Sequence, residues 1–444
     1  MDHNQRYDCV VLGAGLAGLY AAYLLREALY SVCLVEARAR VGGRVCTWRD
    51  GLEGQHAELG PEFIDSNHGR VLTLAKHFDL YVSTRPNFWG VSPMPPVSRG
   101  ARKAWRRFWD TVYEHARRIA DPHCAWQVPD TLKPLDKLSM REWAEQAGVW
   151  QAGELLFRRY ARNLEATEPE LLSFLSIAVQ QAFYGERVDA GVYRLRDGTE
   201  TLTKALAHAF TAQGGDLLLD APVEAIQQTA DSVRVHGHQG GKPYTIEARY
   251  AIVALPFPLL TQLEWTPALS AQRRDALAMA GKGAVIRTLI QFRTRFWRTH
   301  APRAHANQPD ITAIWEETDL QRGETGILSF WTGGEPAHRW GRLTEHQRVE
   351  RCLQTLEVMY PDCRTQVLTA RSYDWQADPF AQHAYIYHAP GYLTEAMPRL
   401  RLPERRAYFA GDYLSMFVGY MEGALESGEA AARSVLRQLA AETV

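Results

Sequence analysis

Three glycines and one acid carry the first chemistry legible in this sequence. Gly13-Ala-Gly15-Leu-Ala-Gly18 follows the apolar run Tyr7–Leu12 and precedes Leu19–Glu27, whose residues favour a helix. A second apolar run begins at Ser31 and ends on Glu36. The order is strand, glycine turn, helix, strand, acid. Gly13 permits a tight turn, Gly15 leaves room for the backbone to approach a pyrophosphate, and Gly18 lets the helix pack closely on the strands. The helix N-terminus offers free N–H groups and partial positive charge to phosphates. Glu36 can accept hydrogen bonds from ribose hydroxyls. This pattern implies a dinucleotide and leaves NAD and FAD both open.

A second feature of the same kind lies near the C-terminus. Arg406–Ala410 reads as a strand that ends in a turn at Gly411 and Asp412. Gly419-Tyr420-Met421-Glu-Gly-Ala424 then opens the last helix, with Ser427, Gly428 and Ala431 along it. This reads as another helix N-terminus aimed at a cofactor, with no bulky side chains in the way.

The segment Glu36-Ala-Arg38-Ala-Arg-Val-Gly42-Gly43-Arg44 directly after the second strand resembles the flavin amine oxidase family. The resemblance implies FAD, with Arg38, Gly43 and Arg44 as contacts and the Glu58-Leu-Gly60 turn beside the isoalloxazine. It further implies that Val223 touches the adenine, that Gly411 and Asp412 hold the ribitol and phosphate, and that Met421 lies against the flavin. Trp375-Gln-Ala-Asp378-Pro379 matches another family segment, which makes Trp375 a flavin contact. Tyr385 and Tyr420 match the two positions that flank the amine, where aromatic faces hold it well. The implied reaction moves a hydride from the carbon beside nitrogen to flavin N5. The imine then hydrolyses, and oxygen (giving hydrogen peroxide) or another acceptor reoxidises the flavin.

Three positions depart from the family. Ala384 stands where monoamine oxidases place the cysteine that bonds to FAD, so non-covalent FAD is expected. Arg287 stands where the family usually has a lysine that holds a water against flavin N5. Arginine keeps its proton at working pH, so Arg287 is expected to weaken oxygen reactivity or to redirect electrons to another acceptor. Lys282 is an odd number of residues away and falls on the opposite strand face. Glu62 and Phe63 occupy the turn where L-amino-acid oxidases place a carboxylate-binding arginine. The expected substrate is therefore a small-molecule amine with a cationic or apolar tail, with Glu62 facing it. Arg287, Tyr385, Tyr420 and Glu62 form the expected reaction centre. The alternatives are a flavin desaturase-type enzyme on a non-amine substrate, an L-amino-acid oxidase, or a non-catalytic FAD-binding scaffold.

These residues need two units to position them. The expected fold class is α/β: a discontinuous, Rossmann-like FAD-binding domain with an α+β substrate domain of mixed sheet and helices. The FAD domain is expected at 1–83, 190–258 and 378–444, and the substrate domain at 84–189 and 259–377. Thr201–Phe210 reads as a helix. Pro222–Ile226, Ser232–Val235, Tyr244–Ala248 and Tyr250–Leu255 read as strands. In the substrate unit, Ala284–Phe292 and Thr325–Trp331 read as strands and Glu345–Met359 as a helix.

Composition narrows the partners. The 444 residues carry a formal net charge of −1, which asks for neither nucleic acid nor a membrane surface. The basic stretch Arg99–Arg118 has Trp105, Phe108, Trp109, Val112 and Tyr113 at helical spacing, and reads as an amphipathic helix with a solvated basic face. Six scattered cysteines lack metal-ligand spacing, so no metal is expected and reduced thiols point to a cytoplasmic protein. No signal-peptide pattern and no membrane anchor are read, and a homodimer is an open expectation.

Overall fold

A computed structural model describes residues 6–84, 89–185, 193–304 and 306–442. Strand Arg6–Leu12 runs into helix Leu16–Glu27 and returns as strand Val32–Val35, whose four residues are all buried. An apolar strand without alternation needs cover on both faces. Val11 and Leu34 pack with Leu19, Leu25, Leu425 and Val435 on one side. Val10, Leu12 and Val35 pack with Ile226, Val235, Val253 and Leu414 on the other.

The sheet built on this unit has the strand order Glu264–Thr266, Val223–Gln228, Val233–Gln239, Lys242–Val253, Arg6–Leu12, Val32–Val35, Asp216–Leu218. Ala407–Phe409 also pairs with Lys242–Val253. The central pairings are parallel, and Val233–Gln239 is antiparallel to both its neighbours. The mixed α/β architecture with a parallel Rossmann-like core is the expected class. One detail differs. The strands expected at Tyr244–Ala248 and Tyr250–Leu255 are a single strand, Lys242–Val253. Arg249 does not interrupt it, because its guanidinium pairs with Asp8 at 3.2 Å and with Glu442 at 2.6 Å.

The second sheet is antiparallel, in the order Val367–Asp374, Val285–Phe292, Gly326–Gly333, Ala313–Glu316, Gly90–Val91. Its strands alternate in address. Ile286, Ile290 and Phe292 enter a cluster with Trp340 and Leu356, the latter on helix Glu345–Met359. Val285, Arg287, Trp331, Ala313 and Trp315 face a cavity between the sheets. The first sheet also takes in Glu264–Thr266, from the segment expected in the substrate unit, through parallel pairing with Ala225–Gln227. The expected boundary at 189/190 lies outside the described residues.

Helices Arg99–Ala116, Met140–Gln146, Trp150–Leu164 and Phe174–Tyr184 share a core around Phe108, Met140, Phe157 and Phe174, and Trp150–Leu164 packs on strand Gly326–Gly333. On Arg99–Ala116 the side chains of Phe108 and Val112 are buried while Arg102, Lys103, Arg106 and Arg107 are exposed, so the basic face is solvated. Tyr113, expected on the apolar face, is 40% exposed. Lys282 ends a separate short strand, Ala280–Lys282, which pairs with Ile386–His388, and its side chain is exposed. Among the described residues no helix is long and apolar enough to cross a membrane, and no cluster of three or more His, Cys, Asp or Glu is arranged to hold a metal.

Candidate active site

One continuous cavity begins at the glycine turn and ends between the two sheets. Gly18 sits behind it. A Cβ there would stand 1.9 Å from the Gly13 carbonyl oxygen, which is why the helix can approach so closely. Gly15 lines the cavity, and a Cβ there would meet no protein atom within 4 Å. The space in front of it is empty of protein and next to the N-terminus of helix Leu16–Glu27, where a diphosphate fits. The Glu36 carboxylate accepts from Ala14 N at 2.8 Å and Arg38 N at 2.9 Å, which aims it along the cavity wall. Burial pushes its pKa up against those two bonds.

The chain ends meet at this cavity. Arg44 donates to the Ala384 carbonyl at 2.8 Å and pairs with Asp412. Arg38 pairs with Asp378 and lies over the Phe380 ring. Trp375 donates from Nε1 to the Leu59 carbonyl at 2.9 Å, beside Gly60. Gly43, Gly60, Gly411 and Asp412 all line the space, and helix Met421–Ala441 opens onto it through Tyr420, Met421 and Ala424. Val223, expected at the adenine, opens strand Val223–Gln228 and is partly buried against the adjacent core.

At the far end two tyrosines come together. Tyr385 packs its ring on Gly419, where a Cβ would fall 3.1 Å from the ring, and Gly419 adopts φ +75°. Only glycine satisfies both conditions cheaply. Tyr420 follows directly, and both tyrosines line the cavity. The Tyr385 hydroxyl donates to the Leu164 carbonyl at 3.1 Å. His68 stands edge-on to Tyr420 at 4.8 Å between centroids. Burial raises both tyrosine pKa values, so both hydroxyls stay protonated.

Arg287 and Glu62 also reach the cavity, but as partners of each other. Arg287 is 1% exposed and donates to Ser329 Oγ at 3.0 Å, to the Gly60 carbonyl, to Glu62, and to Glu317 at 2.5 Å. Arg194 pairs with Glu62, with Glu317 at 3.3 Å and with Asp319 at 2.6 Å. Trp315 donates from Nε1 to Glu62 at 3.0 Å. This corrects one expectation. Glu62 does not offer its charge to a substrate tail, because two guanidiniums already hold its carboxylate. Arg287 is in turn neutralised by two carboxylates. Arg194, Glu317 and Asp319 were not singled out in the sequence, since residues far apart in the chain carry no local signal of pairing.

Glu317 is held below the usual carboxylate range: burial works to raise it, and the charges of Arg287 and Arg194 outweigh that. Glu58, on the outer side of the same cluster, goes the other way, to about 7, through burial reinforced by the Glu317 charge and resisted by hydrogen bonds from Thr199 and Thr47. A folded-state pKa above the ordinary 4.5 means stability that is present below pH 4.5 and lost as pH rises through about 7. Wild type is therefore expected to lose about 3 kcal/mol relative to Glu58→Gln between those limits. Denaturant melts of both proteins across that pH range check this. A difference that stays flat with pH contradicts it.

With the geometry in place, comparison with known proteins decides the family. The profile described as flavin containing amine oxidoreductase matches residues 16–436. The chain belongs to the flavin-containing amine oxidoreductase family. It is similar to amine oxidase [flavin-containing] B of Homo sapiens, at 27% identity over 98% of this chain and 87% of that protein. It is also similar to an amine oxidase [flavin-containing] of Oncorhynchus mykiss, at 26% identity over 99% and 87%. Among solved structures, wild-type putrescine oxidase bound to putrescine superposes with TM-score 0.84 at 21% identity, covering 98% of this chain and 99% of that one. Cyclohexylamine oxidase from Brevibacterium oxydans superposes with TM-score 0.83 at 22% identity, over 98% and 100%. These structural likenesses establish the fold. As a member of this family the protein is an enzyme and a flavoprotein oxidoreductase.

Proposed function

We propose that this enzyme binds FAD non-covalently and oxidises an amine to an imine. The observation that carries the reading is the Tyr385–Tyr420 pair at the inner end of a cavity whose other end is a dinucleotide turn. FAD, when bound, supplies the hydride acceptor. Gly13, Gly15, Glu36, Arg38, Gly43 and Arg44 would hold its adenosine and diphosphate, and Gly60, Trp375, Gly411, Asp412 and Met421 its flavin half. Among the described residues no cysteine lines the cavity, and Ala384 stands at the position of the cysteine that bonds FAD in monoamine oxidases, which supports a non-covalent cofactor. The proposed FAD-binding and substrate units keep the division read from sequence, except that Glu264–Thr266 joins the FAD-binding sheet.

The protein has little acid–base work to do. Tyr385 and Tyr420 orient a neutral amine between their faces, while Val285, Trp315, Trp331 and Phe63 keep the chamber apolar and exclude bulk water. Desolvation favours the neutral amine, the form that gives up hydride. Water then hydrolyses the imine. An amine fits better than an α-amino acid. The cavity-lining arginines, Arg38, Arg44 and Arg287, are each already paired with a carboxylate, so a substrate carboxylate meets no unpaired cation on those walls. The relatives support amine chemistry, since one similar solved structure holds putrescine.

Anaerobic mixing of the FAD-loaded enzyme with amines, L-amino acids and hydroaromatic compounds tests the reading. Amines are expected to bleach the visible flavin band. Bleaching by amino acids or hydroaromatics alone supports the oxidase or desaturase alternative, and bleaching by none supports a scaffold. Tyr420→Leu is expected to lower kcat/KM for the best amine about 10-fold, about 1.4 kcal/mol of lost positioning of the neutral amine. An unchanged kcat/KM removes Tyr420 from the proposed site.

A further inference from the structure

Asn163 lines the cavity, and the mechanism gives it no task. The hydrogen-bonding groups around it are committed to protein. Trp315 gives its Nε1–H to Glu62, Trp375 to the Leu59 carbonyl, and Tyr385 its hydroxyl to the Leu164 carbonyl. Trp331 Nε1 has no partner, but protein atoms cover it. Asn163 is different. It lies half-buried in the last turn of helix Trp150–Leu164, and only one end of its amide is held. Thr312 Oγ1 donates to Asn163 Oδ1 at 3.0 Å. Thr312 is 1% exposed and directly precedes strand Ala313–Glu316, so the holding group is itself fixed. The other acceptor near that hydroxyl is the Trp331 carbonyl at 3.4 Å, which already takes Thr312 N at 2.9 Å. With Oδ1 held, Nδ2 forms the opposite end of the amide, and among the described residues no acceptor takes it.

Two contacts locate this amide in the chamber. Asn163 directly precedes Leu164, whose carbonyl accepts the Tyr385 hydroxyl, so it stands toward the hydroxyl end of that tyrosine. Its partner Thr312 adjoins Ala313, which lines the same cavity with Trp315. The amide therefore sits where the helices meet the second sheet, among apolar walls. Nδ2 carries N–H donors and no acceptor. A hydrocarbon placed against it leaves a donor unmet, whereas an oxygen meets it. A negatively charged oxygen would lose its hydration with no unpaired arginine on those walls to offset the loss, so a neutral oxygen fits.

We propose that Asn163 donates through Nδ2 to a neutral oxygen on the substrate tail, so that the preferred substrates are amines carrying an ether, hydroxyl or carbonyl oxygen remote from the amino group. This rests on the amine reading above and deepens it. Asn163 touches the tail and not the reacting carbon, so it sets specificity and leaves the oxidation step to the tyrosine pair. Thr312 acts through Asn163, as a positioning residue that keeps the donor end turned to the cavity.

The test is anaerobic reduction of the FAD-loaded enzyme by n-alkylamines and by amines of the same chain length in which an ether oxygen replaces one methylene, moved stepwise along the chain. At one oxygen position the wild type is expected to take the ether at least about fivefold better than the matched alkylamine, in kcat/KM, the scale of one net hydrogen bond. At the other positions the alkylamine is expected to win, because the oxygen is desolvated without a donor. Asn163→Leu is expected to reverse the order at the favoured position. Thr312→Val is expected to cut the preference about threefold in the wild-type background and to change it no further in Asn163→Leu, since the two act as one unit. A wild type that takes every ether no better than its matched alkylamine overturns the assignment and leaves the amine reading standing, and that comparison holds even if the variants lose FAD. An Asn163→Leu protein that keeps the preference, slowing both series equally, overturns it too. If no amine in either series reduces the flavin, the amine reading falls, and this inference with it.

Discussion

Arg287→Leu is expected to destabilise the folded enzyme by about 3–5 kcal/mol, because removing one partner of a buried ion pair strands the others. The stranded groups are Glu62 and Glu317, at 4% and 3% exposure. Arg194 also contacts both, and cannot replace the lost bonds to Ser329 and the Gly60 carbonyl. Chemical denaturation of the two proteins reads the difference, and a loss below about 1 kcal/mol contradicts the buried network. Glu62→Gln added to Arg287→Leu is expected to cost less than the sum of the two single changes, since residues in one network are not additive. Arg287→Lys separates structure from electron flow. The fork that bonds Ser329, Gly60, Glu62 and Glu317 becomes a single ammonium with three donors. We expect reoxidation of the reduced enzyme by oxygen to be slow in the wild type and faster in this variant. Stopped-flow mixing measures it, and fast reoxidation that is identical in both proteins would falsify a role for Arg287 in oxygen reactivity.

Gly15→Val is expected to abolish FAD retention while leaving the fold intact. A Cβ at Gly15 meets nothing within 4 Å, so the protein itself tolerates the side chain. The methyls occupy the place proposed for the diphosphate. Affinity is expected to fall at least about 100-fold, about 3 kcal/mol. Flavin absorbance after gel filtration reads the loss, and the far-ultraviolet circular dichroism should match that of wild-type apoprotein. A yellow, fully loaded Gly15→Val protein would move the diphosphate elsewhere. Gly18→Val makes the contrast: its Cβ would lie 1.9 Å from the Gly13 carbonyl, so it is expected to lose the fold along with the cofactor.

Local features were legible from the chain alone. The glycine turn, the acid at Glu36, the helix Glu345–Met359 and the strand Val285–Phe292 each rest on contiguous residues whose spacing matches their backbone period. The join of Lys242–Val253 was not legible. A charged Arg249 in an apolar run reads as a break unless its partners Asp8 and Glu442 are known, and both come from distant segments.

The same limit governs the site. The sequence by itself determined a dinucleotide-binding turn and two helix N-termini, because fixed spacings and motif glycines specify them, while the roles expected of FAD, Tyr385 and Tyr420 came through the family resemblance. It also marked Arg287 and Glu62 as unusual. Only the tertiary structure decided what each does, since a charge is defined by the charges around it. Arg287 and Glu62 come from distant segments of the chain and pair with each other. Glu165 emerges buried beside the neutral Gln180, and nothing in its own neighbourhood of sequence distinguishes it from any other glutamate.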